Sequence, residues 1–420
     1  MTGIDSETVP HPYTPGTIRA AWSYRAFRTV WTGQALSQTG TWMQNVALPA
    51  YVQARWDSGT LVGAMVFAQL GPMLLLSIPG SVLANKAPRK PWLLIMPTLQ
   101  MIAALVLAWF VHADASYGLL FAATATMGVA NALNAPAFQS SIPMLVHRRD
   151  LAGAISLNTA QLNGTRVLGP LIVGLMTLLH VTVSQMLLIN GITFLFVVAA
   201  IARIDIPVVR AQMDQGWRQL TQGIRIAGSR PTLLRLLLSM TLFSLLALPF
   251  VGLFPTVAEK AMHIHPRSAA YSWLYASFGF GALLGGLSVG SVFARVDKRR
   301  IIPPAFLGFA VFLFLFGQLR SAGLAYPVGF ALGVFYFLLA TSMNTEYQLH
   351  MDHSERVLLM ALWFMAFGGM VPMGNIAFGP VMDHIGPRWV LAMGAVASLA
   401  LAWWCDLVRL ERRTAQTATN

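Results

Sequence analysis

One arginine stands where so apolar a chain tolerates it least. Arg166 lies about 14 residues into an apolar-periodic segment that starts near residue 152. If that segment crosses a bilayer, the guanidinium sits near its middle, at a cost of roughly 2.5–3.5 kcal/mol on insertion scales. Such a residue faces a cavity or a partner, and Thr159 and Asn163 share its helical face. Two readings stay open. Arg166 is a cationic ligand for an anionic or electron-rich group, through its planar fork, or it belongs to a buried pair that ties helices together.

Two further stripes carry no charge. Gln34, Gln38, Thr41 and Asn45 recur at spacings of four, three and four. Asn131, Asn134 and Ser141 follow a similar spacing around Phe138. Polar stripes in lipid-embedded helices line cavities or bond between helices. The candidate cavity residues are Gln38, Asn45, Asn131, Asn134, Asn163 and Arg166. Glu346 closes a later apolar segment and is either a proton carrier or a salt-bridged interfacial carboxylate. Asp57, Asp114, Glu259, His263 and His265 fall in outer loops and take no role. Phe243, Phe250, Tyr275, Tyr336 and Trp363 suit an adaptable apolar wall, packing or a lipid-facing surface.

The apolar segments hold no histidine–carboxylate cluster, no Cys–His pair, no phosphate-cradling glycine loop and no Walker motif. No catalytic residue, metal or cofactor is expected, and a membrane-embedded transferase is a remote alternative. The lone Cys405 excludes a disulfide framework.

The elements that must hold these residues follow from composition. Of 420 residues, 56% are hydrophobic and 10% are charged, with a mean hydropathy of +0.62. A soluble domain carries about 25% charged residues, so a soluble enzyme and a disordered chain are both excluded. Long apolar runs, rather than the roughly ten-residue alternation of a membrane barrel, point to an all-α membrane protein. At about 20 residues per crossing, the length fits twelve transmembrane helices. They fall at about 29–52, 60–84, 91–112, 117–142, 152–180, 183–203, 233–258, 269–294, 301–319, 324–346, 357–382 and 388–408. The first is the most polar and must face protein or an aqueous cavity. Residues 1–18 hold Asp5, Glu7 and three prolines with no apolar core, which predicts a disordered tail rather than a signal peptide.

The net charge of +13 is spread in small groups between apolar runs. It reads as topology rather than as a nucleic-acid face. With a cytoplasmic N-terminus, 22 Lys and Arg fall inside and 5 outside, with Arg166 left within a span. Both termini are then cytoplasmic. The polar stretch 204–232 places Trp217, Leu220, Ile224 and Ala227 at helical spacing, away from Arg218 and Arg225. It is either an amphipathic surface helix or a solvated linker.

An internal repeat divides the chain. Gly80-Ser81-Val82-Leu83-Ala84 recurs as Gly290-Ser291-Val292-Phe293-Ala294. At the same offset of 210, Arg89-Lys90 matches Arg299-Arg300, Gly71 matches Gly281, Gly164 matches Gly374, and Gly169-Pro170 matches Gly379-Pro380. Six-helix parallel repeats with a midplane site are one transporter plan. The expected organisation is a tail (1–18), a first half (19–206), a linker (207–230) and a second half (231–420), forming two pseudo-symmetric six-helix bundles. The repeat-mate of Arg166 is Ile376, so symmetry does not require the charge.

GSVLANKAPRK, residues 80–90, resembles the signature loop of the major facilitator superfamily, and GSVFARVDKRR, residues 290–300, repeats it. Asn85 replaces the usual aspartate, Lys86 replaces arginine, and Arg295 stands at the equivalent of Asn85. Residues 131–170 and 356–389 resemble the branch that contains enterobactin-exporter-like and multidrug efflux permeases. The resemblance implies twelve helices, a bacterial cytoplasmic membrane, and export of a small molecule driven by a proton gradient. It also implies a gating role for Gly80, Asn85, Arg89, Lys90, Gly290, Arg299 and Arg300. Gly164, Gly169, Pro170 and Gly174, around Arg166, resemble a glycine–proline antiporter motif, in which bending or close packing is the use, and a conformational role is likewise expected of Gly379-Pro380, the repeat of Gly169-Pro170. The fourth span lacks an arginine in its outer half, unlike many drug–proton antiporters. The expected partners are a small-molecule substrate, the lipid bilayer and a proton gradient, with no nucleic acid, and the protein is expected to act as a monomer. An uptake permease of the same fold is the alternative.

Reporter fusions after Asn420 and within residues 204–232 should both read cytoplasmic. An outside signal at either one overturns this topology.

Overall fold

The computed structural model describes residues 13–204, 216–352 and 355–406, and every regular element among them is helical. The helices are α1 (Ile18–Ser23), α2 (Arg25–Trp56), α3 (Gly59–Lys86), α4 (Arg89–His112), α5 (Tyr117–Gln139), α6 (Leu151–Leu178), α7 (Val183–Ala202), α8 (Gly216–Ser229), α9 (Pro231–Leu246), α10 (Pro249–Gly252), α11 (Phe254–Met262), α12 (Ala269–Gly290), α13 (Lys298–Gln318), α14 (Ala322–Leu349), α15 (Arg356–Phe364), α16 (Met370–Ile385) and α17 (Pro387–Trp404). Among the described residues, nine helical stretches are long and apolar enough to cross a membrane. The expected spans matching α2, α6 and α17 are not among those nine. Helix α2 carries the stripe from Gln34 to Asn45, α6 carries Thr159, Asn163 and Arg166, and α17 has only 18 residues and opens on Pro387 and Arg388.

Two expected helices are interrupted. The span expected at 233–258 breaks into α9, α10 and α11, with Pro249 and Pro255 at the new starts, where a missing N–H costs nothing. The span expected at 357–382 contains a π-turn at Met365–Gly369, which inserts an extra residue into the helical ladder.

The chain forms two compact units. The first gathers the described parts of Met1–Gln44, Leu75–Gly169 and Val181–Gly216. Residues 13–18, expected to belong to a disordered tail, are instead tied down in it. The fully buried Asp150 accepts the Gly16 N–H at 2.9 Å and the Tyr24 hydroxyl at 2.8 Å. Thr17 caps α1 by accepting the Ala20 N–H. Burial beside Asp150 also raises the Tyr24 pKa above its ordinary value. Residues 1–12 lie outside the described set.

The second unit gathers Asn45–Leu74, Pro170–His180 and the described part of Trp217–Asn420. The compact units are therefore not the two sequence halves: the end of α2 and the start of α3 bond to later helices, and the end of α6 packs through Gly174 against Ser272 and Trp273. Asp383 of α16 is the hub. It accepts the Gly59 N–H at 2.7 Å, the Thr60 N–H at 2.8 Å, the Thr60 hydroxyl at 2.7 Å, the Ser58 hydroxyl at 3.0 Å and the Lys260 ammonium at 3.0 Å. A carboxylate at the start of α3 satisfies its orphan donors and complements its dipole. Beside it, the buried Gln53 amide donates to Glu259 at 2.8 Å and to Asp57 at 3.0 Å, and accepts from Thr256 at 2.6 Å. Asp57 and Glu259, given no role from sequence, thus belong to a fastening network.

Phe243, Phe250, Tyr275, Tyr336 and Trp363 are all buried. Phe243 meets Phe309 at 4.8 Å and Phe250 meets Phe278 at 5.7 Å between ring centroids. They are packing residues rather than lipid-facing ones. Helix α8 packs through Gly223 against Leu358 and Leu362, and buries Ala227. Ile224, expected on the same face as Ala227, is exposed. Residues 207–215 of the expected linker lie outside the described set, as do the side chains of Trp217, Arg218 and Leu220.

Asp383→Ala should destabilise the protein by roughly 2–4 kcal/mol, as expected for stranding several charge-assisted donors. Lys260→Ala should cost less, because four donors to Asp383 remain. Thermal unfolding of the solubilised protein checks the order. Equal melting temperatures for the two variants would remove Asp383 as the hub.

Candidate functional site

The uncharged stripes converge in the first unit. Gln34, Ser37, Gln38 and Thr41 of α2 line one cavity with Asn131, Asn134, Phe138 and Gln139 of α5. Gln100 of α4, Asn158, Gln161 and Leu162 of α6, and Phe194 and Val197 of α7 complete the main wall. The cavity and its mouth hold about 560 Å³ of empty space. Residues three or four apart share a helix face, so positions 34, 38 and 41, positions 131, 134 and 138, and positions 158, 161 and 162 all point inward.

Bonds on the other faces hold these helices in register. The Trp31 indole N–H donates to the Leu157 carbonyl at 3.1 Å, joining α2 to α6. The Trp92 indole N–H donates to the Leu133 carbonyl at 3.2 Å, joining α4 to α5. The Asn190 amide donates to Gln44 at 2.7 Å, and Gln44 donates to Met127 Sδ at 3.3 Å, linking α7, α2 and α5. Gly33 lets α2 approach α7, since a Cβ there would stand 2.8 Å from the Phe196 carbonyl oxygen.

Ten of the sixteen lining side chains are amides or hydroxyls, and none of the sixteen ionises. Some bond to one another or to backbone. The Asn158 amide donates to Gln139 at 3.3 Å, and Gln100 donates to the Met96 carbonyl at 3.5 Å. Two buried polar atoms have no partner: Asn134 Oδ1, an acceptor, and Gln161 Nε2, a donor. These residues are only 7% and 5% exposed. A stranded buried polar group costs about 1–3 kcal/mol. The cavity wall therefore keeps hydrogen-bonding capacity that no group among the described residues uses.

Of the six expected cavity residues, Gln38, Asn131 and Asn134 come together here. Arg166 is not among the lining residues. Its guanidinium carbon lies 5.3 Å from the centre of the Trp42 ring, a cation–π distance that gives the charge an electron-rich face. Asn45 does not line the cavity either, because its carbonyl oxygen accepts from Gln69 of α3. Asn163 sits on α6, and its side chain is outside the described set. Gln100, Gln139, Asn158 and Gln161 were not singled out from sequence. The spacing of Asn158 and Gln161, three apart in an apolar helix, was the available signal.

The signature loops differ from each other. Gly80 and Asn85 lie near the end of α3, and the Asn85 side chain is outside the described set. Arg89 is buried, with Nη1 4.0 Å from Met144 Sδ, and Lys90 is half-buried. In the second loop Arg299 Nε lies 3.2 Å from Asp297 and 3.6 Å from Glu346, and His350 Nδ1 is 3.5 Å from Glu346. Glu346 is buried and ion-paired rather than solvated. Burial pushes the Asp297 carboxyl up, but hydrogen bonds from the Arg299 backbone and side chain hold it below the usual range. Arg300 is exposed. A Cβ on Gly290 would meet nothing within 4 Å, so close helix approach is not its use. The glycine–proline pairs do serve close approach. A Cβ on Gly169 would stand 2.5 Å from Trp42 Cβ, and one on Gly379 would stand 2.6 Å from the Gly59 carbonyl oxygen. Pro170 and Pro380 follow them within α6 and α16.

Known proteins share both sequence and architecture. A family described as transmembrane secretion effectors matches residues 17–420. Macrolide efflux protein A of Streptococcus pyogenes is 22% identical over 410 residues, covering 92% of this chain and 96% of its own length. The enterobactin exporter EntS of Shigella boydii is 24% identical over 340 residues, covering 80% of each chain. A mutant of the nucleoside transporter NupG superposes with a TM-score of 0.75 at 14% identity, covering 91% of this chain and 99% of that one. A bacterial homologue of the lysosomal transporter Spinster, inward-facing and unoccupied, gives 0.66 at 14% identity, with 91% and 97% covered. The two structures carry the fold alone. These relatives are transporters, not enzymes, and small-molecule substrates and membrane embedding come with the family. The match along nearly the whole chain, on an all-helical multi-pass fold, places this protein in the transmembrane secretion effector family of the major facilitator superfamily.

Proposed function

We propose that the protein is a secondary active transporter that exports a small polar or amphiphilic molecule, siderophore-like or drug-like, from a bacterial cytoplasm. The observation that carries this reading is the uncharged, amide-lined cavity with two unpartnered buried polar atoms. The efflux relatives support the direction. The protein works as a monomer of twelve crossings with both termini cytoplasmic. Residues 19–206 and 231–420 are its two pseudo-symmetric six-helix bundles, and 207–230 join them.

Transport proceeds by alternating access and is driven by a proton gradient. The signature loops, with Arg89, Lys90, Arg299 and Arg300, govern exchange at the cytoplasmic end, together with Gly80, Asn85 and Gly290. Gly169-Pro170 and Gly379-Pro380 are the points about which α6 and α16 shift against their neighbours. Glu346, buried beside Arg299 and His350, is the candidate proton-linked carboxylate. Arg166, seated on Trp42, supports the cavity wall, so its contribution to transport is indirect.

Arg166→Ala should lower transport at least tenfold with normal membrane insertion. Arg166→Lys should retain a substantial part, because an ammonium keeps the cation–π contact. If both variants fail to reach the membrane, the residue holds the fold and has no part in transport.

Comparing metabolites retained and secreted by cells with and without the gene tests the function itself. A compound that accumulates inside cells lacking the gene and disappears from their medium establishes export. A compound that such cells fail to take up from the medium establishes the uptake alternative.

A further inference from the structure

We infer that the cavity of the first unit recognises an uncharged, polyhydroxylated group, of the kind a glycosyl ring carries, and refuses carboxylates and ammonium groups. This rests on the reading above that the cavity is the substrate site.

None of the sixteen lining side chains carries a charge. An ion entering such a site loses its water and finds no counter-charge, which is the costly case for burial. Arg166, the nearest candidate for anion binding from sequence, faces the Trp42 ring instead.

What the walls offer points the same way. Amides and hydroxyls both donate and accept. Their natural complement is a group in which each polar atom also does both, and a hydroxyl is that group. The two stranded atoms make the demand specific. Asn134 Oδ1 needs a donor and Gln161 Nε2 needs an acceptor, and a polyhydroxylated group supplies both. Phe138, Leu162 and Phe194 present apolar surface to the C–H face of a ring.

The test uses a matched fluorescent series on the full chain in lipid nanodiscs: 4-methylumbelliferyl β-glucoside, the β-glucuronide and the β-glucosaminide with a free amine. The three share an aglycone and differ in charge. Fluorescence anisotropy should show saturable binding of the glucoside, with the glucuronide and the amine at least tenfold weaker. Asn134→Leu and Gln161→Leu should each weaken the glucoside at least tenfold. Both variants should fold, since an apolar group replaces a stranded polar one, and their thermal unfolding checks this.

Equal or tighter binding of a charged probe, or no saturable binding of the glucoside, overturns the neutral class. If the charged probe is also weakened by the two variants, the cavity stands as the substrate site and only the class falls. If probe binding ignores both variants, the cavity itself is not the site, and the functional reading loses its carrying observation.

Discussion

Within a bilayer no water is at hand to satisfy a polar group, so each one in a span must find its partner inside the protein. That constraint sorts the polar residues of this chain into two kinds. Gln44, Asn190 and Met127 bond to one another and hold helices together. Asn134 and Gln161 line the cavity yet leave one buried atom each without a partner. The first kind is architecture, and the second lies in the wall of the cavity with hydrogen-bonding capacity unused. Asn375 shows that an unmet buried amide is not by itself a site. Its polar atoms are also without partners, but it is hemmed in by Gly63 and Gly252, neither of which has room for a Cβ.

The same constraint acts at helix ends, where backbone donors run out of partners. Asp383 and Asp150 each meet it with a carboxylate. Asp383 collects the start of α3 and Lys260, while Asp150 collects Gly16 and Tyr24. Neither residue has a repeat-mate of its own type 210 positions away: Val173 and Met360 stand there. The fastenings are individual to each unit, although short motifs elsewhere in the chain recur at that offset.

The repeated motifs likewise share sequence more than use. In the second signature loop, Arg299, Asp297, Glu346 and His350 form a charge cluster. In the first, Asn85 replaces the acid and Arg89 lies against Met144 Sδ. The Gly-Pro pairs keep a common physical role, since a Cβ at Gly169 or Gly379 would collide with a neighbouring helix. What differs is the helix each one meets, α2 in one case and α3 in the other.

Much of the fold was legible before any coordinates. Apolar runs, helical periodicity and the 210-residue offset are local or one-dimensional signals, and the described helices fall close to the positions they predict. The convergence of Gln38, Asn131 and Asn134 was one of the two readings their helical spacing allowed, the other being bonds between helices. The partner each polar atom finds was not, because that depends on which helices lie side by side and at what rotation. Arg166 has the same cost anywhere in mid-bilayer, and only the packing of α6 against α2 gives its charge to Trp42 rather than to the cavity. Asn45 continues the α2 stripe by spacing, and only the position of Gln69 takes it out. Asp57 and Glu259 look like loop residues in one dimension. Sequence determined that this chain would be a polytopic helical protein with polar stripes to bury. Tertiary structure decided which of those stripes were satisfied and which remained open, because satisfaction is a property of neighbours and not of residues.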